Sequence, residues 1–502
     1  MRNQLPNCLT PGTGDDRVRP VLDVYDLAVR LEIEGISDAV ARADYGFSST
    51  LAMSQEYFND VRRPDPPIRK PAAKIGFLQF LNGISFAIPA FLCTAATLFY
   101  HLSLWGGDLS PEAASALAIG TVCSFIATGG IVQASARRML TQIHMNDWDG
   151  AAFTCRRWTV LGVGVALAVL VTGWLLNQYF RWLPYPMDWV ALSFHLGLSL
   201  LWLACGTLYV LDLSAAVGGA VIVGIAAVAF LHRFLGQPLL VSQFAGILVT
   251  AALSFLIAAL ALRRKARWKS EGEFLSARIL HGVAPYFVYG VCYYLFLFAD
   301  RLLAWTAQTT AFTMPIRFLG EYETALDIAM VAFVIESGWV HLSMLSFYRH
   351  LNNGQAHNSA ADSPAFNREL RNYYFRRGAI FLPLATVTGF LTYGVAMHFG
   401  VLPTPGMQKV AVIAVASYPL LVWGLWNVGL FFALSRPRNA LIAITAALSV
   451  NVGLGYLFSR VGNYNDAVFG FAVGSLVFAL LTTVLFLRLC RTIDYCHFAS
   501  AA

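Results

Sequence analysis

The stretch GVAPYFVYGVCYYLFLFADRLLAW, residues 282–305, decides the fold, because no charged residue precedes Asp300 and Arg301 near its end. A helix of about 20 mostly apolar residues is long enough to cross the hydrocarbon core of a bilayer. Charged residues lie on both sides of the stretch, as they do at the ends of membrane spans. Residues 281–305 are therefore predicted to form a membrane-spanning helix.

The composition extends this interpretation to the whole chain. Of its 502 residues, 57% are hydrophobic and 13% are charged, and the mean hydropathy is +0.60. Soluble domains carry about 25% charged residues, so the chain is expected to be an all-α integral membrane protein. The eight cysteines are scattered without metal-ligand spacing, so no metal site or cofactor is predicted. No nucleic-acid partner is predicted either.

Apolar runs bounded by charges recur along the chain. Asp212 and Leu213 alone separate the fourth run from the fifth, and a tight turn between two helices is favoured there over one bent helix. The runs predict twelve spans: 75–101, 113–136, 159–180, 188–212, 213–231, 238–262, 281–305, 323–348, 378–399, 409–435, 439–459 and 467–489.

The basic residues predict the topology. With the N-terminus inside, 29 Lys and Arg residues fall on the cytoplasmic side and five on the other. The positive-inside rule then places both termini in the cytoplasm. Long basic loops follow the second and the eighth span alike, which favours two bundles of equal orientation. The predicted domains are a module and linker (1–73), a first six-helix bundle (74–262), a basic linker (263–280) and a second bundle with a short tail (281–502).

The first 70 residues lack the apolar core of a signal peptide and predict a small helical module. Val24, Leu27, Ala28 and Leu31 follow helical spacing up to Gly35. Further helices are expected after Ser37 and over residues 51–58, before the proline-rich linker at 62–67. The module is interpreted either as a solvated extension or as a docking site for a partner protein.

Span seven carries an aromatic stripe that ends in charged residues. At 100° per residue, its members share one arc of the helix. Sugar rings have apolar faces that stack on aromatic rings, and a tyrosine hydroxyl adds hydrogen bonds. The stripe therefore predicts a path for a polar chain, although packing against neighbouring helices explains it equally well. The predicted path residues are Tyr286, Tyr289, Tyr293, Phe296, Asp300 and Arg301.

Span eight carries the other ionisable groups predicted to lie within the membrane. Such groups are costly in hydrocarbon, and they commonly relay protons or bind ions. Asp327 and His341 are predicted to share a face, whereas Glu336 points to the opposite one. All three are candidates for coupling to a cation, and a structural hydrogen bond is the alternative for Glu336.

A basic amphipathic segment is predicted before span nine. Ser363 and Pro364 suit a helix N-terminus, and the segment can hold anionic lipid headgroups or lie on the membrane surface as a helix whose arginines reach the headgroups. Its basic residues are Arg368, Arg371, Arg376 and Arg377.

Sequence motifs for soluble catalysis do not occur. The phosphate-binding GxxxxGK[ST], the GxSxG and the HExxH motifs are absent from the sequence, and no DxD-like carboxylate pair is expected in a soluble catalytic domain. We therefore expect a protein that is not an enzyme, with an enzyme acting on lipid inside the membrane as the rival class.

Two features resemble the multidrug, oligosaccharidyl-lipid and polysaccharide (MOP) transporter superfamily. One is the arrangement of six plus six spans of equal orientation. The other is the segment YYLFLFADRLLAW, residues 293–305, which is similar to a Tyr-x-Leu-x-x-aromatic-x-Asp-Lys/Arg-x-x-x-Trp pattern of Pel-type exopolysaccharide exporters. The pair Glu321 and Tyr322 and the pair Tyr348 and Arg349 also lie where that family places similar residues. The N-terminal module departs from the family, which has a short segment there.

The resemblance implies a MATE/MOP-like fold that exports or flips a polysaccharide or lipid-linked glycan across the inner membrane by alternating access. Its implied partners are membrane lipid and a glycan synthase or assembly protein, which the N-terminal module would contact. Two alternatives stay open. One is a cation-coupled small-molecule antiporter of the same fold, and the other is a non-transporting subunit of a glycan synthesis complex.

Overall fold

The computed structural model describes residues 24–33, 35–61, 73–85, 88–266, 276–307, 314–357 and 363–491. Within these ranges the chain is almost entirely helical, as expected. The proline-rich linker, at 62–67, and residues 267–275 of the basic linker lie outside the described residues.

Three short helices form the N-terminal module: α1 (Val24–Ile33), α2 (Asp38–Asp44) and α3 (Thr50–Val61). Leu27, Leu31 and Met53 form its small apolar core. A polar contact also joins α2 to α3. Asp38 accepts hydrogen bonds from the backbone N–H of Thr50 at 2.7 Å and from the Thr50 hydroxyl at 3.0 Å. The predicted helical module is therefore confirmed.

Eleven helices of the described residues are long and apolar enough to cross a membrane. The chain is a multi-pass membrane protein with two six-helix bundles, as predicted. Within the predicted first span the structure describes α4 (Ala73–Ser85) and α5 (Ile88–Tyr100), with Pro89 at the start of α5. A proline is tolerated there because its missing N–H has no partner within the helix.

The remaining helices of the first bundle are α6 (Pro111–His144), α7 (Trp148–Phe180), α8 (Met187–Val210), α9 (Ser214–Ala229, continued by a π-helical turn to Phe234) and α10 (Leu239–Arg263). Helix α6 packs on α7 and α8, and α10 packs on α8 and α9. The predicted turn between the fourth and fifth spans is confirmed at Asp212, whose φ is 58°.

The second bundle contains α11 (Ala277–Trp305), α12 (Gly320–His357), α13 (Ser363–His398), α14 (Pro405–Ala433), α15 (Pro437–Val461) and α16 (Val468–Leu489). Helix α11 packs against α15 within this bundle and against α6 of the first bundle. It therefore lies at the boundary between the two bundles.

The two long basic loops predicted after the second and eighth spans are mostly helix. Helices α6 and α7 are joined by a turn of three residues, at 145–147, in which Asp147 caps α7 by accepting from the Gly150 N–H at 2.8 Å. In the second bundle α12 extends to His357 and α13 begins at Ser363. Apolar periodicity places the end of a span at the last apolar residue, whereas these helices continue beyond it.

Two compact units are distinguished by their internal contacts. One comprises residues 1–75, 343–378 and 487–502, and the other comprises residues 76–342 and 379–486. In the first, the Tyr373 hydroxyl donates to the Ser343 carbonyl at 2.8 Å. The second contains the acidic groups of α11 and α12 that are described below.

Candidate functional site

The tyrosines of the α11 stripe are inside the protein and contact α14. Tyr286 and Tyr289 are buried, and their rings lie 4.8 and 5.3 Å from that of Phe432. Tyr293 continues the row, 6.2 Å from Tyr289. The guanidinium of Arg137, on α6, lies 5.3 Å from the Tyr286 ring. This row of tyrosines on α11 therefore contacts residues of both bundles.

Phe296 has different neighbours from the tyrosines. It is fully buried against Phe471 and Phe478 of α16, at 5.8 and 6.3 Å. The Asn451 side-chain amide, on α15, donates to its carbonyl at 2.9 Å. The predicted arc is thus continuous on the helix, but its members pack against different helices.

A second aromatic row on α11 joins the two bundles, and the sequence analysis missed it. Tyr294 and Phe298 lie 5.0 and 5.4 Å from Phe125 on α6. Phe125 in turn stacks on Trp202 of α8 at 4.2 Å. The four-residue spacing of Tyr294 and Phe298 indicates that both lie on one face of α11, outside the predicted arc.

Asp300 is buried near the other end of α11. Its carboxylate accepts a hydrogen bond of 2.7 Å from the hydroxyl of Tyr322, at the start of α12. Tyr322 is itself fully buried. The two residues that the sequence placed in separate motifs are therefore direct partners.

Arg301 forms a buried ion pair with Glu323, which the sequence analysis did not select. The indole N–H of Trp305 donates to the other oxygen of Glu323 at 2.9 Å. One helical turn separates Arg301 from Trp305, and Glu323 lies beside both. The ion pair with Arg301 and the hydrogen bond from Trp305 together offset the cost of burying the Glu323 carboxylate.

Asp327 and Tyr418 complete this group. Asp327 interacts electrostatically with Arg301, and Tyr418 on α14 is hydrogen-bonded to Arg301. We call Asp300, Arg301, Glu323, Asp327 and their aromatic partners the acidic cluster. It contains three carboxylates and one guanidinium, so a proton, a bound cation or donor groups of a substrate can offset the excess negative charge.

Glu336 lies outside the acidic cluster. It is fully buried between α12 and α13, where Oε1 is 3.3 Å from the Thr388 hydroxyl and Oε2 has no hydrogen-bond partner. His341 has yet other neighbours, because its Cβ approaches Gly83 of α4 and it interacts electrostatically with Asp212. The three predicted coupling residues thus have separate surroundings.

The predicted basic helix forms the first turns of α13. Arg368, Arg371 and Arg376 are exposed, whereas Arg377 is half-buried, contacts the Ser346 hydroxyl and lies 5.2 Å from the Tyr373 ring. Three of the four arginines are therefore free to meet anionic groups in the solvent or at a membrane surface.

A scan against protein-family models gives no match, and neither does a comparison with curated proteins. Solved structures do match. A MATE transporter in complex with MaD5 aligns with a TM-score of 0.58 and 14% identity over 83% of this chain and 95% of its own. An outward-facing MATE transporter of the MOP superfamily gives 0.57 and 13%, over 83% and 95%. A MOP superfamily transporter from Pyrococcus furiosus gives 0.56 and 13%, over 83% and 97%. The predicted MATE/MOP-like fold is confirmed.

Proposed function

We propose that this protein is a transporter of the cytoplasmic membrane that moves its substrate by alternating access between the two six-helix bundles. The MATE/MOP-like fold supports the proposal. One polar contact joins the bundles, the hydrogen bond of 2.9 Å from Arg137 on α6 to the Ser435 hydroxyl, just after α14. Such a bond can be exchanged for water when the bundles separate.

The substrate we propose is a polysaccharide or a lipid-linked glycan. The single observation that carries this choice is the hydrogen bond from Tyr322 to Asp300. Both residues belong to the resemblance to Pel-type exporters, and Trp305 of the same motif contacts the acidic cluster through Glu323. Carboxylates accept hydrogen bonds from sugar hydroxyls, and the tyrosines of α11 offer rings for stacking.

A cation-coupled small-molecule antiporter is the second candidate. The observation that favours it is the excess of carboxylates over basic groups in the acidic cluster. A cationic drug or a coupling ion would be attracted to this cluster, whereas an anionic substrate would be repelled.

The partners we propose follow from the two parts that face the predicted cytoplasmic side. The exposed arginines of α13 suit anionic lipid headgroups. The N-terminal module would contact a glycan synthase or another assembly protein. A Leu27→Asp variant, which breaks the core of the module, should weaken that association while the membrane part still inserts.

Deletion of the gene in its host tests the proposed substrate. We expect loss of extracellular polysaccharide together with shutdown or accumulation of glycan inside, and restoration by the wild-type gene. Asp300→Asn should restore poorly, whereas Asp108→Asn, the same change at an exposed loop position, should restore fully. Both variants must reach the membrane in equal amount.

Unchanged glycan in the deletion strain would contradict the glycan proposal. If tolerance to cationic drugs fell in the same strain, the antiporter would replace it. Normal export by Asp300→Asn would show that the acidic cluster is not part of the substrate path.

A further inference from the structure

Glu336 is a buried carboxyl group at the middle of a membrane-spanning helix. It lies close to the centre of the predicted span 323–348, and its side chain has no exposed surface. Asp327, on the same helix, is nine residues away, which is about 13 Å along the axis. The two carboxylates therefore belong to separate sites.

Aromatic side chains lie one helical turn from Glu336, and among the described residues its only polar partner is Thr388. Trp339, one turn further along α12, packs on Phe381 of α13 at 4.5 Å and on Trp426 of α14 at 5.0 Å. Among the described residues, the charged groups of α12 nearest to Glu336 in sequence are Asp327 and His341, which have other partners. The one charged residue of α14 is Lys409, which pairs with Asp466.

The hydroxyl of Thr388 is the hydrogen-bond partner of Glu336. This hydroxyl lies 3.0 Å from the Leu384 carbonyl, 3.1 Å from the Ala385 carbonyl and 3.3 Å from Glu336 Oε1. A hydroxyl has one hydrogen and can also accept. If it donates to a carbonyl of its own helix, only a protonated Glu336 can complete the hydrogen bond, with the carboxylic acid as donor.

A metal ion fits this position poorly. Glu336 and Thr388 supply three oxygens, whereas hard cations such as Ca²⁺ take six to eight. Among the described residues, no group of three His, Cys, Asp or Glu side chains is placed to hold a metal ion. A proton needs one oxygen only.

The opposite side of α12 contacts the first bundle directly after Glu336. The Ser337 hydroxyl lies 3.3 Å from the Gly83 carbonyl, on α4. A Cβ on Gly338 would come within 2.9 Å of the Phe80 carbonyl, so the two backbones approach closely there. If a change of charge at Glu336 shifts α12, the contact of Ser337 and Gly338 with α4 must therefore change as well.

We propose that Glu336 is a proton-binding site of the transporter and that loss of its proton loosens the contact of Ser337 and Gly338 with α4. The coupling part rests on the proposed transport function, whereas the bound proton does not. An ionised carboxylate without a partner is costly in this environment. Release of the proton therefore requires α12 to move and admit water.

Infrared spectroscopy of the purified full-length protein in lipid vesicles tests the bound proton. A protonated carboxylic acid gives a separate carbonyl-stretch band at neutral pH. We expect Glu336→Gln to remove one such band and Glu321→Gln, an exposed position at the start of the same helix, to leave it. Thr388→Val keeps Glu336 and should shift the band, which provides a second test if Glu336→Gln folds poorly.

Spectra of Glu336→Gln and Thr388→Val that both equal the wild-type spectrum would overturn the site. Coupling is tested in the host by adding an uncoupler. Wild-type export should fall, Glu336→Gln should export at most a tenth of the wild-type amount, and Glu336→Asp should recover part of it. Export by Glu336→Gln that remains normal and uncoupler-sensitive would refute the coupling. Unchanged glycan after gene deletion would refute the glycan function and leave the infrared result standing.

Discussion

The hydroxyl of Tyr322 donates a hydrogen bond of 2.7 Å to Asp300, and this bond joins the end of α11 to the start of α12. The residues are 22 positions apart, and both are fully enclosed by protein. The link fixes Asp300 beside Arg301 and Glu323. It thereby unites the parts of the acidic cluster.

Removal of the Tyr322 hydroxyl should impair the acidic cluster. In Tyr322→Phe, Asp300 loses a buried hydrogen bond, which costs about 1–3 kcal/mol of stability. Export should fall, and the double variant with Asp300→Asn should be no worse than Asp300→Asn alone. Thermal unfolding and export assays measure both effects. Tyr185→Phe, at an exposed position, is the control, and additive losses in the double variant would contradict a direct link.

Loss of the Arg301 charge should destabilise the protein. Arg301→Gln leaves Glu323 and Asp300 buried without a cation, which costs about 3–5 kcal/mol when a buried pair is broken. Glu323→Gln in the same chain should restore part of this stability. Thermal unfolding in detergent measures both, with the exposed Arg460→Gln as control. Equal stability of Arg301→Gln and wild type would refute the ion pair.

A methyl group at Gly290 should disturb the boundary between the bundles. A Cβ there would lie 2.5 Å from the Gly129 carbonyl of α6, so the helices must separate. Gly282, on the same helix, has nothing within 4 Å of such a Cβ. We expect Gly290→Ala to lower the unfolding temperature and export, and Gly282→Ala to preserve both. The reverse order would show that α6 and α11 do not meet at Gly290.

The N-terminal module should loosen in acid through Asp38. The hydrogen bonds from Thr50 hold the pKa of Asp38 below its ordinary value of 3.8. Its stabilising contribution is therefore complete above that value and is lost as the pH falls through the lower, folded-state pKa. Asp38→Asn should increase proteolysis of residues 24–61 at pH 7, as acid does in the wild type. Equal cleavage of variant and wild type at pH 7 would contradict this.

The sequence predicted the spans because bilayer thickness fixes the length of an apolar run. It also selected Asp300 and Arg301 as candidates, since charges are rare in hydrocarbon, and the structure places both in the acidic cluster. It missed Glu323, which lies at the very start of the predicted span 323–348. Three-dimensional packing brings Glu323 to Arg301, and no spacing along the chain reveals that contact.

The sequence also does not reveal which helices pack against a given face. Tyr289 and Phe296 share one arc of α11 but pack on different helices, because the neighbours of a helix change along its length. Patterns within one helix identify a face, whereas the partners of that face depend on the whole bundle.

The distance between the two bundles tests alternating access most directly. Spin labels at Leu140→Cys, on α6, and Arg438→Cys, on α15, would be placed in a cysteine-free protein in lipid vesicles and their distance measured by pulsed electron paramagnetic resonance. We expect two populations whose ratio changes with pH and becomes insensitive to pH in Glu336→Gln. A single distance, unchanged by pH and by the substitution, would contradict it.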